Sequence, residues 1–170
     1  MIVVVIIGVI YALVLSNFNT KKQVHILKIS DIREALLPFW KKGKKVDFYL
    51  YDHCQKAAIF INDIYQEEVE PKIKLSEFSK IEVSTLDYRG ENKQTVFTPI
   101  MIDKKLHKVC FHYCLFPNGS NSSFILKKDK LYYIFYPYFQ DVNSSEDLNE
   151  AINLLQQKKY RGVMPDEVND

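Results

Sequence analysis

The sequence predicts an α+β protein in which an N-terminal hydrophobic helix precedes an antiparallel β-sheet domain with a C-terminal amphipathic helix. Residues 1–20 contain no charged side chain. The body is rich in aromatic and β-branched residues, which suit a half-buried pleated surface. Apolar residues near the C-terminus recur at helical spacing. We therefore divide the chain into a hydrophobic helix (1–20), a basic segment with a short helix (21–45), a β-rich domain (46–160) and a tail (161–170).

Length and composition limit the classes of protein to consider. A chain of 170 residues holds one ordinary domain with an appended segment. Hydrophobic residues make up 47% of it, which describes a packed core and excludes a disordered chain. The net charge is only +2, so direct binding of nucleic acid is not expected.

The first 15 residues form a continuous apolar run. As a helix this run would rise about 22 Å, whereas a bilayer core needs about 30 Å. No basic residue precedes it, as one would in a secretory signal peptide. We expect that a few N-terminal residues are missing from this start. The alternatives are a generic single-pass anchor and a buried strand, since β-branched apolar runs occur in both.

The run Met1-Ile-Val-Val-Val-Ile-Ile-Gly-Val-Ile-Tyr-Ala-Leu13 resembles the N-terminal helix of type IV pilins and type II secretion pseudopilins. Gly8 falls where that family has its recurring helix glycine. The family's leader and its charged Glu are absent, and Ser16 stands where many members have a helix-kinking proline. The resemblance implies that one set of residues packs in the membrane and in a filament: Ile2, Val5, Ile6, Gly8, Val9, Leu13 and Leu15.

The same resemblance implies a location and a set of partners. The chain would be a single-pass protein of the bacterial inner membrane with a periplasmic, extracytoplasmic C-terminal domain. Its partners would be the lipid bilayer, other pilin-like subunits, the inner-membrane assembly platform and, if a leader exists, the prepilin peptidase.

The segment 21–45 is basic and contains one predicted helix. It has eight Lys or Arg residues against two acidic ones, which favours contact with an anionic membrane surface or simply a solvated face. Asp31 and Glu34 offer a cap and a first-turn carboxylate, and Pro38 ends the pattern.

The body alternates runs of apolar and β-branched residues with short polar turns, which predicts antiparallel strands. A hairpin is expected from 81–86 and 95–102, with Pro99 at an edge or a bulge. The last three strands form a meander. The predicted strands cover residues 46–51, 56–61, 81–86, 95–102, 109–116, 123–126 and 131–136.

The stretch Phe116-Pro-Asn-Gly-Ser-Asn-Ser-Ser-Phe-Ile-Leu126 is the second point of resemblance. Minor pseudopilins of the type II secretion system also have a strand ending in Phe, a Pro-Asp/Asn-Gly-Ser turn and a following apolar strand. After it, Leu148, Ile152 and Leu155 recur at helical spacing behind a capping run, and they predict the C-terminal helix.

The three cysteines are Cys54, Cys110 and Cys114. Cys110 and Cys114 lie four residues apart on one predicted strand, about 13 Å between Cα atoms, which is too far for a disulfide. Any bridge must therefore include Cys54, while three buried thiols are the alternative. Zinc binding with His112 is disfavoured because neighbouring residues on one strand face lie about 6.6 Å apart.

Motifs for phosphate-binding loops, serine hydrolases and zinc peptidases do not occur in the sequence, so we predict no enzyme, no cofactor and no metal. The function that the sequence predicts is a pilin-like structural subunit of a type II secretion, type IV pilus or DNA-uptake assembly. The alternative is a membrane-tethered extracytoplasmic binding or immunity protein.

Overall fold

The computed structural model describes residues 28–41, 43–67, 75–138 and 140–161. Within these residues the chain forms eleven strands, two α-helices and two 3₁₀ turns, the turns at Ile29–Asp31 and Leu75–Phe78. The α-helices are α1 (Ile32–Leu36) and α2 (Leu148–Arg161). The strands are β1 (Val46–Tyr51), β2 (Lys56–Ile61), β3 (Ile64–Tyr65), β4 (Glu82–Leu86), β5 (Asn92–Gln94), β6 (Ile100–Ile102), β7 (Lys105–His107), β8 (Val109–Leu115), β9 (Phe124–Lys128), β10 (Leu131–Phe135) and β11 (Asn143–Ser145).

The strands form two antiparallel sheets and one separate hairpin. Sheet A has the order β3-β2-β1-β8, and sheet B has the order β11-β10-β9-β4-β5. The hairpin consists of β6 and β7. Strand β8 is an edge strand of sheet A, and the turn after it leads into β9 in the middle of sheet B.

The main core lies between the two sheets. Alternation along β1 directs Phe48 and Leu50 to the same face of sheet A, and both are fully buried. On sheet B, Phe124 stacks on Phe135 with ring centroids 4.4 Å apart. The short helix α1 contributes Ile32 to the same cluster. Burying these large side chains supplies most of the hydrophobic stabilisation of the domain.

Helix α2 covers the other face of sheet B. Its buried residues Ala151 and Leu155, four positions apart, pack with Ile125 and Ile134 of the sheet. The helix also contacts the turn between β4 and β5, because the side-chain amide of Gln156 donates to the carbonyl oxygen of Gly90 at 3.0 Å. Gly90 has φ +81, and a Cβ atom there would lie 2.6 Å from the Gln156 amide nitrogen. This turn therefore requires glycine.

The predicted α+β class with an N-terminal hydrophobic helix is wrong. The described residues are mostly antiparallel β-sheet, and their α-helices are limited to five and fourteen residues. The apolar residues at helical spacing form a single helix that packs on a β-sheet. One such helix does not give the fold a separate helical layer. The predicted helix 1–20 lies outside the described residues.

The predicted localisation is also corrected. Within the residues that the structure describes, no helix combines the length and apolar character needed to cross a bilayer. This finding overturns the prediction of a single-pass inner-membrane protein. The seven residues assigned to the membrane and filament helix, Ile2, Val5, Ile6, Gly8, Val9, Leu13 and Leu15, lie outside the described part of the chain.

The predicted pairing of 81–86 with 95–102 is wrong as well. Strand β4 pairs with β5, at 92–94, around the turn at Gly90. Thr95 still donates its N–H to the carbonyl oxygen of Val83 at 2.8 Å. Residues 96–99 then leave the sheet, and β6 pairs with β7 to form the separate hairpin. Pro99 has no N–H to donate to a ladder, and Val96 is 91% exposed, so this segment has little to gain from continuing as a strand.

Candidate functional site

The disulfide joins the turn after β1 to the edge strand β8. This turn has an unusual backbone, because Asp52, His53 and Cys54 all have positive φ. The Cys54 side chain is buried in the main core. Cys54 is bonded to Cys110, with Cα atoms 5.8 Å apart and a sequence separation of 56. A bond of this kind persists in oxidising compartments and restricts the unfolded chain.

The third cysteine, Cys114, is a free and buried thiol that is 2% exposed. Burial and the nearby Asp47 carboxylate raise the pKa of this thiol to about 12. A thiol with such a pKa remains protonated at neutral pH and is a poor nucleophile. Cys114 therefore acts as a small hydrophobic residue in the structure.

Cys114 is expected to resist alkylation in the folded protein. Incubation with iodoacetamide at about pH 8 should leave the native thiol unmodified, because the thiolate is scarce and access is closed. The same treatment in urea should add one carbamidomethyl group, measured by mass spectrometry. Rapid modification of the native protein would contradict this account of the Cys114 environment.

A buried acid organises the outer face of sheet A. Asp47 is fully buried, with Oδ1 2.8 Å from Nε2 of His112 and Oδ2 2.9 Å from Nζ of Lys45. Burial alone would raise the pKa of Asp47, but hydrogen bonds from His112, Lys45 and the Cys114 thiol outweigh it and hold this pKa below its ordinary value. The hydrogen bond to Asp47 in turn raises the pKa of Lys45. The carboxylate is thus ionised in the folded protein.

The His112 ring is fixed by its neighbours. It stacks on Tyr49 with centroids 4.3 Å apart and planes 5° from parallel, and Phe97 meets it edge-on at 6.4 Å. Burial, followed by the charge of Asp47, raises the pKa of Tyr49 to about 12, so this phenol remains neutral. Asp47 and His112 form an acid–imidazole pair, but the two potential nucleophiles beside it, Tyr49 and Cys114, both remain protonated. The cluster therefore holds the His112 ring in a fixed orientation.

Two clefts meet at His112. The first, which we call the outer cleft, is a cavity of about 340 Å³ on the outer face of sheet A. The second, the edge cleft, is a cavity of about 280 Å³ between the edge strand β8 and sheet B. Phe97 lines both. The edge cleft is lined by Val83, Thr85, Thr95, Phe97, His112, Phe116, Asn121, Ser122, Ser123 and Phe124.

The edge cleft holds polar atoms without partners. Asn121 is only 6% exposed, and its amide nitrogen donates to the main-chain oxygens of Ser122 and Tyr136. The Oδ1 atom of Asn121 and the Oγ1 atom of Thr95 are buried, and neither has a hydrogen-bond partner among the described residues. Buried polar atoms are paired in most native structures, so these two unsatisfied atoms set the edge cleft apart.

The turn after β8 forms one rim of the edge cleft. Gly119 has φ +87, and its N–H donates to the carbonyl oxygen of Phe116 at 2.9 Å. The indole N–H of Trp40 donates to the same oxygen at 2.9 Å and ties the turn to the segment after α1. The Phe116 side chain is 40% exposed and lines the cleft. These hydrogen bonds hold the turn in place and so position the Phe116 ring at the edge cleft.

The sequence placed Cys110, His112 and Cys114 on one strand, which is β8, and required Cys54 in any disulfide, but it did not identify Asp47 or Asn121 as site residues. Asp47 lies among apolar residues of β1, and its partner is 65 positions away, so only the strand pairing brings them together. The signal in the sequence for Asp47 was a single acidic residue within an otherwise apolar strand. Asn121 follows a turn and resembles ordinary turn chemistry.

No family model, curated protein or solved structure matches this chain.

Proposed function

We propose that this chain is a pilin-like structural subunit that works through contacts with other pilin-like subunits and with the platform that assembles them. The observation that carries the proposal is the order of elements around Phe116. Strand β8 ends at Leu115, the Pro-Asn-Gly-Ser turn follows, and β9 begins at Phe124. Minor pseudopilins have this order of strand, turn and strand, and the apolar run at the start of the chain adds a second point of resemblance.

The chemistry of the described residues supports a structural role. The ionised groups of the buried cluster are engaged with one another, and the nucleophilic atoms beside them remain protonated. A fully satisfied polar network of this kind makes the fold more rigid.

The hairpin of β6 and β7 offers a surface for subunit contacts. Met101 and Leu106 are cross-strand partners and are 65% and 68% exposed. Three exposed lysines surround them: Lys104, Lys105 and Lys108. An exposed apolar pair with a polar rim is the usual composition of an interaction surface.

The test is photo-cross-linking in cells of the native host. A benzophenone amino acid at Met101 is expected to give a ladder of adducts with other pilin-like subunits, identified by mass spectrometry. The same residue placed at Lys130, which is exposed in the turn between β9 and β10, is the matched control. The double variant M101D/L106D should fold normally and lose the ladder, because both side chains are exposed and desolvating an unpaired carboxylate opposes contact.

A uniformly monomeric protein, or equal cross-linking from Met101 and Lys130, would contradict the proposal. A single one-to-one adduct with a protein that is not pilin-like would favour the second candidate, a binding or immunity protein. The edge cleft is the observation that favours this candidate, because it offers buried polar atoms to a bound partner.

A further inference from the structure

Strand β8 has a free edge where it borders the edge cleft. The N–H of Cys114 donates to Oγ of Ser122 at 3.0 Å, and the Cys114 carbonyl accepts the Ser122 N–H at 3.0 Å, so the Cys114 main chain points away from β1. In an antiparallel strand, the N–H and C=O of alternate residues point to the same side. The main chain of His112, two residues earlier, therefore also points away from β1.

The side chains agree with this assignment. His112 lies opposite Tyr49 in the ladder, and the two rings are stacked. Close side chains are typical of a pair that does not exchange main-chain hydrogen bonds across the ladder. Among the described residues, no main-chain hydrogen bond from a turn or loop reaches the His112 N–H or C=O. One donor and one acceptor thus face the cleft.

The cleft itself indicates the kind of ligand. Its lining contains no Asp, Glu, Lys or Arg, which disfavours a charged ligand. Asn121 Oδ1 and Thr95 Oγ1 are buried without partners in the described structure. Both atoms are able to accept a hydrogen bond. Phe97 and Phe116 form apolar walls. A ligand with regularly spaced N–H and C=O groups and apolar side chains satisfies all of these features.

The position of the cleft distinguishes a single strand from a whole sheet. The lining residues Val83 and Thr85 of β4 lie across the cleft from His112 and Ser122. A second folded sheet would clash with β4, whereas a single extended segment fits in the space between β8 and β4. Addition of an extended peptide to a sheet edge is an established mode of recognition.

We propose that the edge cleft binds an uncharged extended peptide segment, which pairs with the main chain of His112 and donates to Asn121 Oδ1 and Thr95 Oγ1. The source of the segment, a neighbouring pilin-like subunit, rests on the proposed function. The capacity of the edge cleft to bind a strand is independent of the proposed function, because this capacity depends only on the geometry of β8 and its surroundings.

The experiment uses the full chain and a capped seven-residue peptide of alternating threonine and valine, labelled with fluorescein. Anisotropy should show saturable binding below about 1 mM peptide. A peptide of the same sequence with N-methyl groups on every valine lacks half of its main-chain donors and should bind at least tenfold more weakly. Amide hydrogen exchange by NMR should show fast exchange of His112 in the free protein and slow exchange with peptide bound. The Tyr113 amide, which faces β1, should exchange slowly in both states.

A matched pair of variants identifies the cleft. Thr95→Val removes the unpartnered hydroxyl without changing its shape and should weaken peptide binding roughly three- to tenfold. Thr98→Val alters a residue of the outer cleft alone and should leave the affinity unchanged.

Absence of binding at about 1 mM, equal binding of the N-methylated peptide, or equal effects of the two variants would overturn the proposal. Protection of the His112 amide without peptide would overturn it as well. If the peptide binds but the Met101 cross-links in cells fail, the strand-binding cleft stands and the assembly function alone is refuted.

Discussion

Replacing both Cys54 and Cys110 by alanine is expected to lower the free energy of unfolding by about 4 kcal/mol. The bond closes a loop with a sequence separation of 56 residues. On the chain-entropy account, a loop of this length restricts the unfolded chain enough to stabilise the fold by about 4 kcal/mol. Domains of this size are stable by about 5–15 kcal/mol, so this loss is a large fraction of the total free energy of unfolding.

The measurement is urea unfolding of the double variant beside the parent protein, followed by tyrosine fluorescence. Cys114→Ala is the matched control, because it also removes a buried sulfur but breaks no cross-link. That control should cost about 1 kcal/mol. Reduction of the parent protein with dithiothreitol should reproduce the effect of the double variant. An unchanged urea midpoint after complete reduction would contradict the prediction.

The second large effect is expected from Asp47→Asn, which should cost about 3 kcal/mol near neutral pH. The substitution removes a fully buried charge that holds His112 and Lys45. Breaking a buried ion pair by altering one partner is strongly destabilising, because the remaining polar groups are left without their charged hydrogen-bond partner.

The pH dependence follows from the direction of the pKa shift. The pKa of Asp47 is lower in the folded protein than in the unfolded chain. Its contribution to stability is therefore present above the unfolded pKa of about 3.9 and is lost as the pH falls through the folded value. Urea midpoints measured from about pH 7 to about pH 2 should show a steeper acid loss in the parent than in Asp47→Asn.

Asp63→Asn is the control for this series. Asp63 also pairs with Lys45, at 3.1 Å, but its side chain is 80% exposed. An exposed pair contributes at most about 1 kcal/mol, and salt screens it. Equal losses from Asp47→Asn and Asp63→Asn would show that burial of Asp47 does not determine the strength of the cluster.

Local patterns predicted individual elements better than they predicted the class of the fold. The strands expected at 46–51 and 56–61 are β1 and β2, because alternating and apolar runs bounded by turn residues specify strands locally. The run at 95–102 has β-branched residues that predict a full strand, but only residues 100–102 form one. Whether such a run joins a sheet depends on partners elsewhere in the chain, and sequence alone does not give them.

The candidate site depends on long-range register. Asp47 and His112 meet because β1 pairs with β8 across more than sixty intervening residues. A shift of one residue in that pairing would put the two side chains on opposite faces of the sheet. The edge cleft adds a third element, sheet B, whose position relative to β8 is set by core packing. Short motifs contain none of this information.

The free edge of β8 is also very short, and this has a consequence for solubility. Phe111 and Val109 pair with the adjacent residues Leu50 and Tyr51, so Cys110 forms a bulge, while Ser122 closes the ladder at Cys114. Long, flat, unpaired strands template the stacking of many copies into cross-β fibrils. An opening only one residue long can pair with one residue of a bound segment, but it gives such a fibril no continuous surface on which to nucleate.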